Sequence, residues 1–482
     1  MADHQRSLVL FELPVPTTRS RRQMASLQRS GISVAAVHAP KDAERVAGFG
    51  IQTVPAAMGR GHRLRGEIQR KIRTAESATW LGHRQQALWR AALDMPTPQI
   101  AHRSADLNIL AYEWVAGAEA LVAQPADIYW AADLDALPPV VWAGRASPGT
   151  RLVYDAHELF MRLDYLDPLQ LPEWDAIARQ FVPKVDLVLT VCDGIADILR
   201  VEYGARRVQV VHNLAVAGRP TSRDVRQALG LPAGTPLAVH IGNVVPNRRP
   251  ELAVPLLEKL EALHVVFVGE IRQQQDVRVR EQAVLAGVQD RLHIIDPVPV
   301  DELISFVAGA DLSLVLYSPM TSDNLRLALP NKLFDSLAAG LPLVAAHGTE
   351  AAAYVINRNL GRGFDDGDAD SLAKAVQGIL NDHMLRERVS SRRHDFEWAA
   401  GEPMFTKLVH KLAATATPEG PDGASGDAPA AFPPRPATDP LGNPRPPSWR
   451  HRPVARARKA AAWRLRRLSN VLDPRDAKAP RT

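Results

Sequence analysis

The chain has 482 residues, 46% of them hydrophobic and 23% charged, with a formal net charge of +5 and one cysteine, Cys192. This is an ordinary globular balance, long enough for two sizeable domains, and it excludes an intramolecular disulfide. The N-terminus shows no basic region leading into an apolar stretch, and no apolar run reaches the about 18 residues needed to span a bilayer, so a cytosolic protein is expected.

The positive charge is localised. Twelve Lys and Arg face two Asp between Arg445 and Thr482, a local +10, which leaves 5 − 10 = −5 for residues 1–444. The body is slightly acidic, and the overall basicity says nothing about its ligand.

In chain order, short apolar runs alternate with amphipathic helical stretches, the pattern of parallel sheets covered on both faces. The strand candidates are SLVLFEL, ISVAAVH, DIYWAA, RLVYDA, LVLTVC and VQVVHN, and then PLAVHIGN, HVVFVGE, LHIID, LSLVLYS and LPLVAA. The Pro- and Gly-punctuated LAVAGRPTSRDVRQALGLPAGTP lies between the two sets and marks the domain junction. In open parallel sheets ligands lie beyond the C-terminal ends of the strands, so the residues just after each strand are the candidates for chemistry.

Four such stretches stand out. VPTTRS places Thr17, Thr18 and Arg19 after the first strand, a plausible anion or hydroxyl contact. VYDAHELF ends on Asp155, His157 and Glu158, suited to proton handling or hydroxyl recognition. HIGNVVPNRRPE turns at Gly242 and Asn243 and then offers Arg248 and Arg249 at a helix entrance, where backbone amides and guanidinium groups hold phosphate oxygens. ALPNKLFDSLAAGLP reads as a helix started by Pro330 and Asn331 and stopped by Gly340, with Leu333, Phe334, Leu337 and Ala338 on a core face. Its other face carries Lys332 and Asp335, and a lysine in the first turn opposes the helix dipole unless an anion sits nearby. No glycine-rich dinucleotide loop or Walker-type lysine loop is present. Asp133 and Asp135 have the D-x-D form that some transferases use to hold a metal, but a polar loop explains them as well; the histidines show no ligand spacing, and no metal is expected.

These stretches, in this order, resemble the family 4 retaining glycosyltransferases, which use nucleotide-sugar donors and have the GT-B fold of two facing Rossmann-like domains. The likeness runs over about residues 7–412, and includes DFEWAAGEPMFTKLVHKL as the family's closing helix. It implies an acceptor-side domain over 1–217, a donor domain over 218–395 and a closing helix over 396–414; beyond it, a composition too rich in Pro, Gly, Ala and Asp to build a core reads as a disordered linker and basic tail over 415–482. It implies donor contacts from Gly242, Asn243, Arg248, Asn324, Asn331, Lys332 and Asp335, with phosphate at Arg248 and Lys332 and ribose at Asp335. His157 falls near the transferred sugar, and Arg19 and Glu158 on the acceptor side. Leu327 stands where the family has the first of two glutamates, and Thr17 where an aspartate is usual.

The implied function is transfer of a sugar from a nucleotide diphosphate donor to a glycan or lipid-linked acceptor, with retention, and with neither metal nor cofactor. A sugar-nucleotide epimerase or hydrolase of the same fold, and a non-catalytic sugar-nucleotide-binding scaffold, are the alternatives. The tail reads either as a basic amphipathic helix on an anionic membrane or as a solvated charged segment. Its sparse aromatic residues argue against nucleic acid.

Overall fold

The computed structural model describes residues 6–12, 16–38, 52–55, 114, 117–163, 166, 170–245, 248–270 and 273–417; the basic tail and the linker beyond residue 417 lie outside them. Strands β1 (Ser7–Glu12), β2 (Ser33–His38), β3 (Gln52–Pro55), β4 (Ile128–Ala132), β5 (Arg151–Ala156), β6 (Leu187–Thr190) and β7 (Val208–Val210) form one sheet in the order β3-β2-β1-β4-β5-β6-β7. Strands β8 (Leu237–Ile241), β9 (His264–Val268), β10 (Leu292–Ile295), β11 (Leu312–Val315), β12 (Leu343–Ala346) and β13 (Gly361–Phe364) form a second in the order β10-β9-β8-β11-β12-β13. All pairings are parallel.

The strands read as unbroken apolar runs because helices cover both faces; every residue of β4 and β8 is buried. Strand order reverses between β1 and β4 in the first sheet, and between β8 and β11 in the second. A crevice opens at such a switch point, beyond the C-terminal strand ends. Two strands escape the sequence pattern. QTVP is only four residues long, and GRGF carries two glycines and an arginine, so neither has an apolar signature.

The chain crosses between the halves twice, and the crossings touch. Ala215 donates its N–H to the Phe396 carbonyl (2.9 Å), and Trp398 donates to the Ala215 carbonyl (2.6 Å). Helix Trp398–Ala413 then packs on the first half. Trp398 Nε1 donates to Ser26 Oγ (2.7 Å), Arg29 pairs with Glu402 (2.6 Å), and the Phe405 and Trp130 rings meet edge to face at 6.2 Å. Among the described residues no helix is long and apolar enough to cross a membrane.

Burial of Trp398 makes it the anchor of this return. Trp398→Ala is expected to destabilise the protein by about 3–5 kcal/mol, as deletion of a buried tryptophan does elsewhere, measured by urea denaturation followed by circular dichroism.

Candidate functional site

The second switch point is built from a glycine turn and two cations. Gly242, at φ +89°, ends β8, and Gly269, at φ +151°, ends β9 so close by that a Cβ on it would lie 2.5 Å from the Gly242 carbonyl oxygen. Any side chain at Gly269 would push this turn apart. A Cβ at Gly242 would lie 3.8 Å from Lys332 Nζ, so the lysine lies directly over the turn.

Lys332 is buried, at 9% exposure, in the first turn of helix Asn331–Ala338. Its Nζ lies 3.1 Å from Nε2 of His240, a fully buried residue of β8. His240 Nδ1 is 3.1 Å from the Leu314 carbonyl. Burial and the adjacent lysine hold the imidazole well below its ordinary range, so it is neutral. It therefore donates from Nδ1 to the carbonyl and accepts from the lysine at Nε2. Arg248 shares the Tyr317 ring with the lysine, the arginine Cζ lying 4.1 Å from the centroid and Lys332 Nζ 5.4 Å from it. Arg248 Nη1 is buried without a hydrogen-bond partner. Burial, and then Arg248, push the Lys332 ammonium well below its ordinary pKa, while Asp335 opposes them. Among the described residues no carboxylate pairs with either cation within 4.0 Å.

Arg249 does not join this pair. Its backbone is left-handed, at φ 51°, and its guanidinium bonds Glu251 (2.6 Å) and Asp366 (2.9 Å). One arginine of the NRR stretch is thus structural and the other is free to meet an anion. Asn243 and Asn331 are exposed, and Asn331 accepts a hydrogen bond from Asn213 of the first half. Asp335, one turn beyond Lys332, is half-buried; burial pushes its carboxyl up to about 7 against Arg22 and Lys332.

At the first switch point, Glu12 ends β1 and Asp133 follows β4. Asp133 takes the uncommon φ of 65°, and its carboxylate accepts the His157 N–H (3.1 Å) and lies 3.4 Å from His157 Nδ1. His157 Nε2 lies 3.4 Å from Asp155. Burial lowers the imidazole pKa, but the two carboxylates raise it more, and the net position is well above the ordinary value. His157 is an imidazolium, able to donate and unable to accept a proton. Burial raises the Asp155 carboxyl, but Arg19 and His157 outweigh it and hold it well below the carboxylate range. Glu12 accepts the Thr17 N–H (2.9 Å) with one oxygen, leaves the other buried and unpartnered, and is pushed by burial up to about 7.

Several sequence expectations are corrected here. Arg19, expected toward the acceptor, is 3% exposed and fully engaged, with Nε and Nη2 on Asp155 and Nη1 on the Val211 carbonyl (2.9 Å), so it holds Asp155 in place. Thr17 is the N-cap of helix Thr18–Arg29. Asn324, expected at the donor, is buried and accepts the Leu159 N–H across the seam (3.0 Å). Glu158 is exposed, 3.5 Å from Asn324 Nδ2. Leu327 is buried in the same seam; its carbonyl accepts from Cys192 Sγ (3.1 Å), and a Cβ on Gly194 would meet its side chain at 2.7 Å. Leu327 is therefore a packing residue that joins the halves. Asp133 was legible only as half of a D-x-D; its place after β4, beside the strand-order reversal, is the signal that marks it and Glu12. Tyr317 follows β11 by the same rule, and His240 is a lone histidine in an apolar strand. Among the described residues no group of three His, Cys, Asp or Glu side chains is placed to hold a metal ion.

Comparison with known proteins agrees with this architecture. Residues 221–395 match the family model for glycosyl transferases group 1. The chain is 23% identical over 256 residues to the lipopolysaccharide core biosynthesis glycosyltransferase LpsE of Rhizobium meliloti (strain 1021), covering 53% of this chain and 69% of that protein. Sucrose-phosphate synthase from Thermosynechococcus elongatus matches in structure with a TM-score of 0.60 at 15% identity, over 85% of this chain and all of the other. Anabaena HepE, solved in complex with UDP and glucose, matches with a TM-score of 0.55 at 14% identity, over 86% of this chain and 100% of the other. The fold is GT-B, and its second half carries a group 1 glycosyltransferase match.

The His157 cluster has a pH signature. A group whose folded-state pKa is raised contributes stability that is complete below its unfolded pKa, about 6.5, and is lost as pH rises through the folded value. His157→Gln is therefore expected to cost about 1–3 kcal/mol at pH 6 and progressively less above pH 7. Urea denaturation of variant and wild type across pH 5.5–9.5 checks it; Glu12 titrates in this range and is itself held down by His157, so the comparison is repeated in a Glu12→Gln background to isolate the histidine.

Proposed function

We propose that the protein is a glycosyltransferase that moves a sugar from a nucleoside diphosphate donor to a hydroxyl of a glycan or lipid-linked acceptor, with retention and without a metal. The observation that carries the proposal is the Arg248–Lys332 pair beside the Gly242 turn, a half-buried arginine and a buried lysine that have no carboxylate partner among the described residues. A diphosphate supplies the missing charge, and the cations then do what a divalent ion does elsewhere, stabilising the negative charge that grows on the departing phosphate. Asp335, one helical turn away, accepts from the ribose hydroxyls once ionised. The complex of HepE with UDP and glucose and the group 1 match support a donor of this class.

The charge state of His157 constrains the chemistry. The bond from the anomeric carbon to the phosphate oxygen breaks, the bond to the acceptor oxygen forms, and the acceptor proton must go somewhere. An imidazolium cannot take it, so the proton passes to the leaving phosphate oxygen, and His157, with its ring nitrogens toward Asp133 and Asp155, contributes its positive charge beside the sugar. This arrangement requires the hydroxyl and the leaving group on one face of the sugar, which is retention. The protein would act in the cytoplasm, with the basic 445–482 segment drawing it to an anionic leaflet where a lipid-linked acceptor is presented.

Lys332→Ala and Asp335→Ala are each expected to lower kcat/KM for the donor by about 10–100-fold while the circular dichroism spectrum is unchanged. Nucleoside diphosphate release from UDP-, GDP-, ADP- and dTDP-sugars, with an acceptor pool, measures it. Wild-type rates in either variant contradict the assignment.

A further inference from the structure

Asp366, in the turn after β13, reaches two other loops of the second half at once. Its Oδ1 pairs with Arg249 Nη1 (2.9 Å), and its Oδ2 accepts from Ser318 Oγ. Arg249 follows Arg248 in the chain and Ser318 follows Tyr317, so one carboxylate grips the immediate neighbours of both the arginine and the ring it lies over. Ser318 is 3% exposed, and its Oγ accepts the Met320 N–H (3.1 Å), which fixes the start of the loop after β11. At Arg249 the backbone is left-handed, a conformation that a residue with a Cβ keeps only where its surroundings hold it. Glu251, two residues on, and Asp366, 117 residues on, supply that hold.

We propose that Asp366 is a positioning residue for the donor phosphates: by clamping Arg249 and Ser318 together, it keeps the Arg248 guanidinium over the Tyr317 ring. The inference rests on the reading of Arg248 and Lys332 as the phosphate grip. Arg248 has no carboxylate partner among the described residues, and its Nη1 has no hydrogen-bond partner, so its place is set by the ring and by the turn in which it stands. That turn is short: the Arg248 N–H donates to the Val245 carbonyl (2.9 Å), and the Leu252 N–H donates to the Arg249 carbonyl (3.1 Å). Once the hold on Arg249 is released, the left-handed residue relaxes toward an ordinary backbone and carries Arg248 off the ring. A binding group is only as precise as the contacts that fix its own backbone and rotamer. The loops after β8, β11 and β13 are thereby joined through one side chain.

The test has two parts. Crystal structures of Asp366→Ala and Asp366→Asn without nucleotide are expected to show Arg248 displaced from Tyr317 in the first and retained in the second, because the amide still accepts from Arg249 and still bonds Ser318. Arg248 remaining over the ring in Asp366→Ala overturns the proposal. In the second part, affinities of wild type and both variants are measured for UDP, GDP, ADP and dTDP by calorimetry, and for the four matching nucleosides by NMR titration. Asp366→Ala is expected to weaken diphosphate binding by about 10-fold and to leave nucleoside binding unchanged, with Asp366→Asn close to wild type. A merely structural role predicts equal losses for nucleoside and diphosphate, and that result, or an undiminished diphosphate affinity, overturns the proposal. If wild type binds none of the four diphosphates, the donor reading falls, and the position of Arg248 in Asp366→Ala alone decides whether Asp366 holds it.

Discussion

Two like charges share one aromatic ring at the bottom of this molecule's cleft, and no acid among the described residues neutralises them. Arg248 and Lys332 at Tyr317 raise the electrostatic energy of the empty protein, since burial and then the nearby Arg248 make the lysine harder to keep charged. The rest of the second half holds them there. Gly242 keeps the turn open beneath Lys332, and neutral His240 fixes the lysine without adding a charge. Leu333, Phe334 and Leu337 bury the opposite face of the helix and prevent it from rolling the lysine into solvent. On the proposed reading, stability is given up locally for a ligand that brings its own negative charge.

The first half is arranged in the opposite sense. Its switch point gathers carboxylates, Glu12, Asp133 and Asp155, and one imidazolium between two of them. Arg19 fixes Asp155, Asp155 and Asp133 fix His157, and the charge on His157 follows from that geometry. One switch point is thus lined by cations and the other by carboxylates around a single histidine. Between them the seam is closed by Leu327, Asn324 and the paired crossings at Ala215 and Trp398, which are structural contacts made by residues of both halves.

Much of this was readable from the chain, for identifiable reasons. Eleven strands announce themselves because parallel strands buried on both faces are continuous apolar runs, while GRGF and QTVP do not because each is four residues long and has no continuous apolar run. The helix of Lys332 and Asp335 was legible from its proline, glycine and spacing. What the sequence could not show is which polar side chains turn to each other. Arg248 and Arg249 are adjacent and chemically equal, yet a left-handed backbone at Arg249 sends it to Asp366. Arg19 and Asn324 read as site residues by resemblance, and Leu327 as the place of a missing carboxylate; their partners, Asp155, Leu159 and Gly194, lie more than 130 residues away in sequence. Position after a strand points to the cleft, but only tertiary contact decides whether a side chain faces ligand or seam.

The central claim, that the Arg248–Lys332 pair is an unfilled anion site, is tested most directly by thermal unfolding of wild type and Arg248→Met, each with and without UDP, GDP, ADP or dTDP in the presence of a chelator. A ligand that binds only the folded state raises its stability. Wild type is expected to gain stability with at least one of these nucleotides. Arg248→Met, relieved of the repulsion, is expected to match or exceed wild type without nucleotide and to gain little or nothing with it. A variant that is less stable when empty, yet gains as much as wild type on adding nucleotide, would contradict the account.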